Sequence, residues 1–406
     1  STFLDDSSGL ELIKLYSLRL LTRLGAHRSF IEKAYPQEIT FSNDNIARLI
    51  GIDQWLDNKL GEDDGVEITT RKEVLQAIQS MHETAEAEAD ELVPAKALQH
   101  NSQQLTQILG LTKTESHILE FIVQLHSSSI LEEVTELLGE LSLNQLIQAL
   151  SVLLDAPLES VQQALSYKGK LQTTGLLNLH SDRYLLKDKV ELFSAKFAER
   201  MLSKETHPLD LFKDQILLTE PSTLKFDDFS HIENSLKILR PYLKFAVSTK
   251  RKGVNIFIYG APGVGKTELV RLLGQDCGVT LYEVSSEDEN GDTLNSSSRL
   301  RAFQASQSIL KNQKAMLLFD EVEDIFGGYQ GLFSNLFSLS SQNDNSKGWI
   351  NRALENNHVP TIWLSNNREC MDPAYIRRFD LSFEIPIPPR AQRERILREQ
   401  SDGLLS

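Results

Sequence analysis

Gly260-Ala261-Pro262-Gly263-Val264-Gly265-Lys266-Thr267 fits the phosphate-loop pattern G-x-x-x-x-G-K-[ST] at every defined position. Its glycines admit backbone conformations barred to other residues, so that main-chain N–H groups can close on an anion. The preceding Val254-Asn255-Ile256-Phe257-Ile258-Tyr259 reads as a buried strand, and Leu269, Leu272 and Leu273 fall at helical spacing after the loop. Strand, loop and helix thus come in the order that a phosphate cradle requires. The helix opens near Lys266, and its partly positive N-terminus adds to the attraction for phosphate. Lys266 then reaches the β- and γ-phosphates of a nucleotide, Thr267 holds Mg²⁺, and Glu268 completes the nucleotide-binding stretch. A glycine turn with no ligand is the competing reading, and it leaves the pattern unexplained.

Working outward, the chain has 406 residues, enough for two or three domains. With 40% hydrophobic and 24% charged residues it has the composition of a soluble globular protein, and no apolar run approaches the roughly 18 residues of a membrane span. The N-terminal Ser1-Thr2-Phe3-Leu4-Asp5-Asp6 lacks the basic start of a secretory signal. Cys277 and Cys370 are the two cysteines, too few for a disulfide framework, so a reducing, cytoplasmic setting is expected. A formal charge of −15 makes nucleic acid an unexpected general partner, because phosphate contacts need a basic surface. The chain lacks an initiator Met and stops soon after Ala391 to Leu397 begins a helical pattern, so it reads as a piece of a longer protein.

Residues 1–92 read as a helical region. Helices are expected over 10–24, 45–56 and 71–81, and the acidic run Glu83, Glu86, Glu88, Asp90, Glu91 reads as a solvated helix face or linker. From residue 93 to 203 the pattern predicts a second helical domain. Thr112 and Glu115 form a capping box, helices follow over 130–138, 143–154 and 158–165, and a strand pair over 171–179 and 183–186 surrounds His180-Ser181-Asp182. Helix, turn, helix and hairpin together resemble a winged helix; its second helix is acidic and polar, so packing or protein docking is expected before DNA binding. Residues 204–224 form a connector.

From 225 to 406, strands are expected over 279–284, 315–319, 361–364 and 381–387 with helical patterns between them. Such alternation means an α/β fold, a parallel sheet covered by helices. The Gly-, Ser- and Asn-rich stretch 326–346 reads as a mobile loop. Met316-Leu317-Leu318-Phe319-Asp320-Glu321 is an apolar strand ending in two carboxylates. Ligands gather beyond the carboxyl ends of strands in such sheets, which puts Asp320 at the metal and Glu321 at the γ-phosphate as general base.

Ser365-Asn366-Asn367 ends the next strand, with Asp372-Pro373-Ala374 and Arg377-Arg378-Phe379-Asp380 beyond it. With these motifs, 225–397 resembles the AAA+ ATPases, close to the AAA branch, and the P-loop NTPase fold is what that resemblance implies. It also implies a polar sensor at Asn366, with Asn367 as the fallback, and arginines that reach a neighbouring subunit's γ-phosphate, for which Arg377 and Arg378 match. The usual Gly between separated arginines is missing here, so which one acts stays open. The loop Glu287 to Leu294 has no aromatic residue of the kind that grips polypeptide in threading members, and the family's C-terminal helical lid is not expected within residues 1–406. The resemblance implies a Mg²⁺-dependent ATPase, working as a ring-like homo-oligomer such as a hexamer, that remodels or disassembles a protein complex. An ATP-dependent switch or scaffold with slow hydrolysis is the alternative, and a DNA-linked loader the third.

Overall fold

The computed structural model describes residues 7–33, 39–55, 71–288, 290–326, 353–371 and 373–401. The expected loop over 326–346 lies, apart from Phe326, outside the described residues, as does Asp372. The chain divides into two compact units, 1–211 and 212–406. The boundary falls within the expected connector, and residues 92 and 93 lie inside the first unit.

In the first unit, helix Ser7–Thr22 packs against helices Arg71–Ala87, Ser129–Glu136 and Leu143–Leu153. Its face of Ile13, Tyr16, Leu20 and Leu21 is buried, and Tyr16 meets Phe121 edge-on with centroids 5.1 Å apart. Helix Lys113–Ser127 starts at a two-way capping box, in which Glu115 N–H donates to Thr112 Oγ1 at 3.2 Å and Thr112 N–H to Glu115 Oε2 at 2.8 Å. Each bond satisfies a backbone donor that the first helical turn would otherwise leave open. A short pair, β1 (Ile31–Lys33) and β2 (Ile39–Phe41), completes the N-terminal part.

Two sequence expectations need correction here. The hairpin pairs β3 (Leu177–Leu179) with β4 (Val190–Leu192), in register Leu177↔Leu192 and Leu179↔Val190, while 170–173 and 186–189 are helical turns. Leu177 and Leu179 are buried and need apolar partners; Val190 and Leu192 supply them, whereas Arg183 and Tyr184 are exposed. Nor is Glu86 part of a solvated face: Arg19 Nε and Nη2 donate to its two carboxylate oxygens at 2.8 and 2.9 Å, and Arg23 and His82 also touch it.

The second unit is built on a six-stranded sheet. Its strands are β5 (Ile216–Leu218), β6 (Asn255–Tyr259), β7 (Thr280–Val284), β8 (Ala315–Phe319), β9 (Thr361–Ser365) and β10 (Leu381–Glu384), in spatial order β10-β6-β9-β8-β7-β5. All neighbours are parallel except β5, which runs antiparallel along β7. The sequence reading left β5 in the connector.

Alternate residues of a strand face opposite sides of a sheet. Ile256, Ile258, Met316, Leu318, Ile362 and Leu364 therefore share one buried layer with helices Glu233–Ser248 and Lys266–Cys277. Phe319 and Trp363 turn the other way, stacked at 5.0 Å, and meet Phe303 of helix Ser296–Ile309. Helices thus cover both faces, and the carboxyl ends of the central β6, β9 and β8 come out side by side.

Candidate active site

The loop between β6 and helix Lys266–Cys277 is shaped by what glycine lacks. A Cβ at Gly260 would lie 2.4 Å from the Ile385 carbonyl oxygen, so only glycine lets β6 leave the sheet beside the end of β10. Gly265 caps the helix with φ at +90°, a left-handed backbone open to glycine, and a Cβ there would press on the Phe229 ring at 3.3 Å. Val264 anchors the loop in the core, while Ala261, Pro262 and Gly263 are exposed.

Lys266 is 7% exposed. Its Nζ donates to Gly260 O at 2.8 Å, Ala261 O at 3.3 Å and Asn366 Oδ1 at 2.9 Å. Burial pulls its pKa below the usual lysine range, and the carboxylates of Asp320 and Glu323 oppose that shift. Thr267, next in the helix, donates from Oγ1 to Asp320 Oδ2 at 3.0 Å. The other oxygen of Asp320 accepts from Glu321 N–H at 2.8 Å. The five residues of β8 are all buried, and they deliver Asp320 half-buried and Glu321 exposed at the strand's end. Glu321 has φ at +51°, a left-handed conformation that is uncommon for a residue with a Cβ.

The two asparagines beyond β9 do different things. Asn366 touches Lys266, whereas Asn367 caps the following turn by accepting from Glu369 N–H at 2.9 Å. Glu268 turns its carboxylate to Ser222 and Arg271, each at 2.7 Å. Arg377 and Arg378 lie exposed just past the short helix Pro373–Ile376, and Arg378 pairs with Glu355. Among the described residues neither arginine bonds to Lys266, Asp320 or Asn366.

Three residues near the site escaped the sequence reading. Glu323 Oε1 accepts from Asn366 N–H and, at 2.9 Å, from Ser365 Oγ, tying the end of β9 to the turn after β8. Glu283 in β7 is pushed towards its neutral form by burial and by Asp320. Arg299 is wholly buried and donates to the carbonyls of Asp320 and Glu321. Glu323 opens the short helix Glu323–Phe326, a position that an acidic residue favours; nothing local marked Arg299.

Sequence comparison now gives this geometry its family. Residues 256–387 match the ATPase family associated with various cellular activities (AAA). This segment is an AAA-family ATPase domain. The chain is similar to the ATP-dependent zinc metalloprotease FtsH of Lachnoclostridium phytofermentans, 27% identical over 169 residues, 39% of this chain and 28% of that protein. Against FtsH of Caulobacter vibrioides it is 26% identical over 203 residues, 46% of this chain and 31% of the relative. The chain therefore spans under a third of these relatives' length. Among solved structures, the FIGL-1 AAA domain with ADP aligns at a TM-score of 0.34 and 16% identity, covering 47% of this chain and 64% of that one. Among the described residues, no helix is long and apolar enough to cross a membrane.

Members of the AAA family bind nucleotide, typically with Mg²⁺. The donor set of this domain fits that pair: the Thr267 hydroxyl and the Asp320 carboxylate stand 3.0 Å apart as hard oxygen ligands.

Proposed function

We propose that this chain is a Mg²⁺-dependent ATPase motor that works as a ring-like homo-oligomer and remodels or disassembles a protein complex. The observation that carries the reading is the convergence, within hydrogen-bond distance, of Lys266 with Asn366 and of Thr267 with Asp320, groups drawn from three separate strand ends. In this reading the loop amides and Lys266 bind the triphosphate, and Thr267 with Asp320 hold the metal. Bound Mg²⁺ would offset charge on the transferred phosphoryl group. Glu321 accepts the proton of the attacking water, a contribution of about 10²- to 10⁴-fold in rate. Asn366, held by its backbone on Glu323, orients that water or contacts the γ-phosphate through its amide. Arg377 and Arg378, both exposed, are the candidates to act on a neighbouring subunit, and Arg378 would have to leave Glu355 to do so.

The test is the ATP hydrolysis rate per chain against protein concentration, with Glu321→Gln as blank. A specific rate that climbs with concentration supports a site completed between subunits. A rate equal to the blank at every concentration sinks the motor. A second reading, the ATP-dependent switch with slow hydrolysis, is favoured by the loop Glu287 to Leu294, which has no aromatic side chain to grip a threaded polypeptide. Under the switch, Lys266→Ala loses partner binding while Glu321→Gln keeps full function; under the motor, both lose function.

A further inference from the structure

Glu321 has to be aimed, and its own backbone does not favour the conformation in which it stands. At φ +51° its Cβ crowds the following carbonyl, so an unassisted Glu would relax to negative φ and swing the carboxylate away. The chain around it leaves little slack: Phe319 is in register with Trp363 at the end of the sheet, and Val322 N–H already donates to Leu364 O at 3.1 Å. What fixes the intervening turn is Arg299, from the first turns of helix Ser296–Ile309. Its Nη1 donates to Glu321 O at 3.0 Å, its Nη2 donates to Asp320 O, and the guanidinium carbon sits 4.6 Å from the centre of the Phe319 ring. One planar group thus holds three consecutive residues, and the two carbonyls it grips flank the φ of the strained residue.

We propose that Arg299 is a positioning residue for hydrolysis: by clamping the carbonyls of Asp320 and Glu321 it keeps the turn left-handed and so aims the Glu321 carboxylate. The inference rests on Glu321 being the general base. It assigns Arg299 no contact with nucleotide. The clamp needs the fork of a guanidinium, whose two terminal nitrogens can span adjacent carbonyls; the single ammonium of lysine keeps the charge without spanning both.

The experiment uses the full chain as wild type, Arg299→Lys, Arg299→Met, Glu321→Gln and the Arg299→Lys/Glu321→Gln double variant. For each, kcat and KM for Mg-ATP, affinity for a fluorescent ATP analogue and the thermal midpoint are measured. Misaimed catalytic groups cost up to about 100-fold. Arg299→Lys is therefore expected to lower kcat by about 10- to 100-fold with analogue affinity held within about twofold, and the double variant to be no slower than Glu321→Gln alone, because both changes remove the same action. A wild-type kcat in Arg299→Lys, a further loss in the double variant, or a loss fully accounted for by weaker analogue binding would each overturn the proposal. Should Arg299→Met fail to fold, Arg299→Lys decides. If wild type is no faster than Glu321→Gln, the assignment of the base falls and the clamp with it; an active wild type beside an unaffected Arg299→Lys removes the clamp alone.

Discussion

Each unit of the chain contains a buried arginine that crosses between elements far apart in sequence, and the two are used differently. Arg19 forks onto the Glu86 carboxylate and donates from Nη1 to Leu153 O at 2.8 Å, stapling helix Ser7–Thr22 to helices Arg71–Ala87 and Leu143–Leu153. Arg299 forks onto two successive carbonyls of one turn. The first arrangement answers charge with charge and holds helices together; the second shapes a backbone that displays a carboxylate. A buried guanidinium is a scaffold in the first case and an aiming device in the second. Perturbing the two should therefore separate stability from turnover.

The largest effect expected is on turnover alone. Glu321→Gln keeps shape and volume at an exposed position, so the thermal midpoint stays within a degree or two while hydrolysis falls by about 10²- to 10⁴-fold. Single-turnover assays would show it, and a fall of less than about tenfold would mean that another group takes the proton. Arg19→Met is the opposite experiment. It leaves the Glu86 carboxylate and Leu153 O short of a donor, and removing one partner of a buried pair costs about 3–5 kcal/mol. Arg23 and His82 remain on Glu86, which argues for the lower end of that range. Hydrogen exchange should show helices Ser7–Thr22 and Arg71–Ala87 losing protection while β8 keeps its own. Equal loss in both units would break the comparison.

Acid should find the same weak point. Hydrogen bonding to Arg19, with the charges of Arg19, Arg23 and His82 beside it, holds the Glu86 carboxyl below its ordinary value of 4.5. Between the folded value and 4.5 the unfolded chain binds more protons, so this contribution is full above pH 4.5 and is lost as the pH falls through the folded value. His82 has the same sign for another reason: burial lowers its pKa below 6.5, so acidification charges it more readily in the unfolded chain and stability falls as the pH drops below that point. The contribution of this cluster should fall in two stages, one beginning below pH 6.5 and one below 4.5. Glu86→Gln should flatten the second stage and, by removing the carboxylate that raises the His82 pKa, deepen the first; an unchanged acid limb in that variant would show that the staple carries no charge-dependent stability.

The sequence revealed what is local and hid what is not. The phosphate loop, Asp320-Glu321 and the strands over 315–319 and 361–364 depend on residues within a few places of one another, and each announces itself by spacing. The hairpin was misplaced because several apolar stretches competed to pair with Leu177 and Leu179, and burial selected Val190 and Leu192. Arg299 was illegible because its partners lie 21 and 22 residues away across a turn whose shape no pattern encodes. Its helix also buries Ser296, Ser298, Arg301, Ser306 and Gln307 along with its apolar residues, so it lacks the polar and apolar faces by which an amphipathic helix is read. Glu323 was passed over for a similar reason: its partners belong to the end of β9, 42 and 43 residues on.

The finest test uses two helix caps as a matched pair. Thr112 caps helix Lys113–Ser127 in the first unit, and Asn295 caps helix Ser296–Ile309 in the second, accepting from Ser298 N–H at 2.8 Å. Replacing either by Ala costs about 1 kcal/mol by the same physics. The consequences should diverge because Arg299 N–H donates to Asn295 O at 3.1 Å, which puts the clamp in the turn that this cap organises. A change of about 1 kcal/mol shifts the ratio of ordered to frayed first turn by about fivefold. Where helix ends are close to balance, that lowers the clamped fraction, and with it kcat, by about threefold. Thr112→Ala should lose the same stability with no change in kcat, and Asn295→Asp, which retains a cap, should keep both. Equal rates in the two Ala variants would mean that Phe319 and the two carbonyls hold the guanidinium in place whatever its own helix does, and the aim of Glu321 would then be set from the strand side alone.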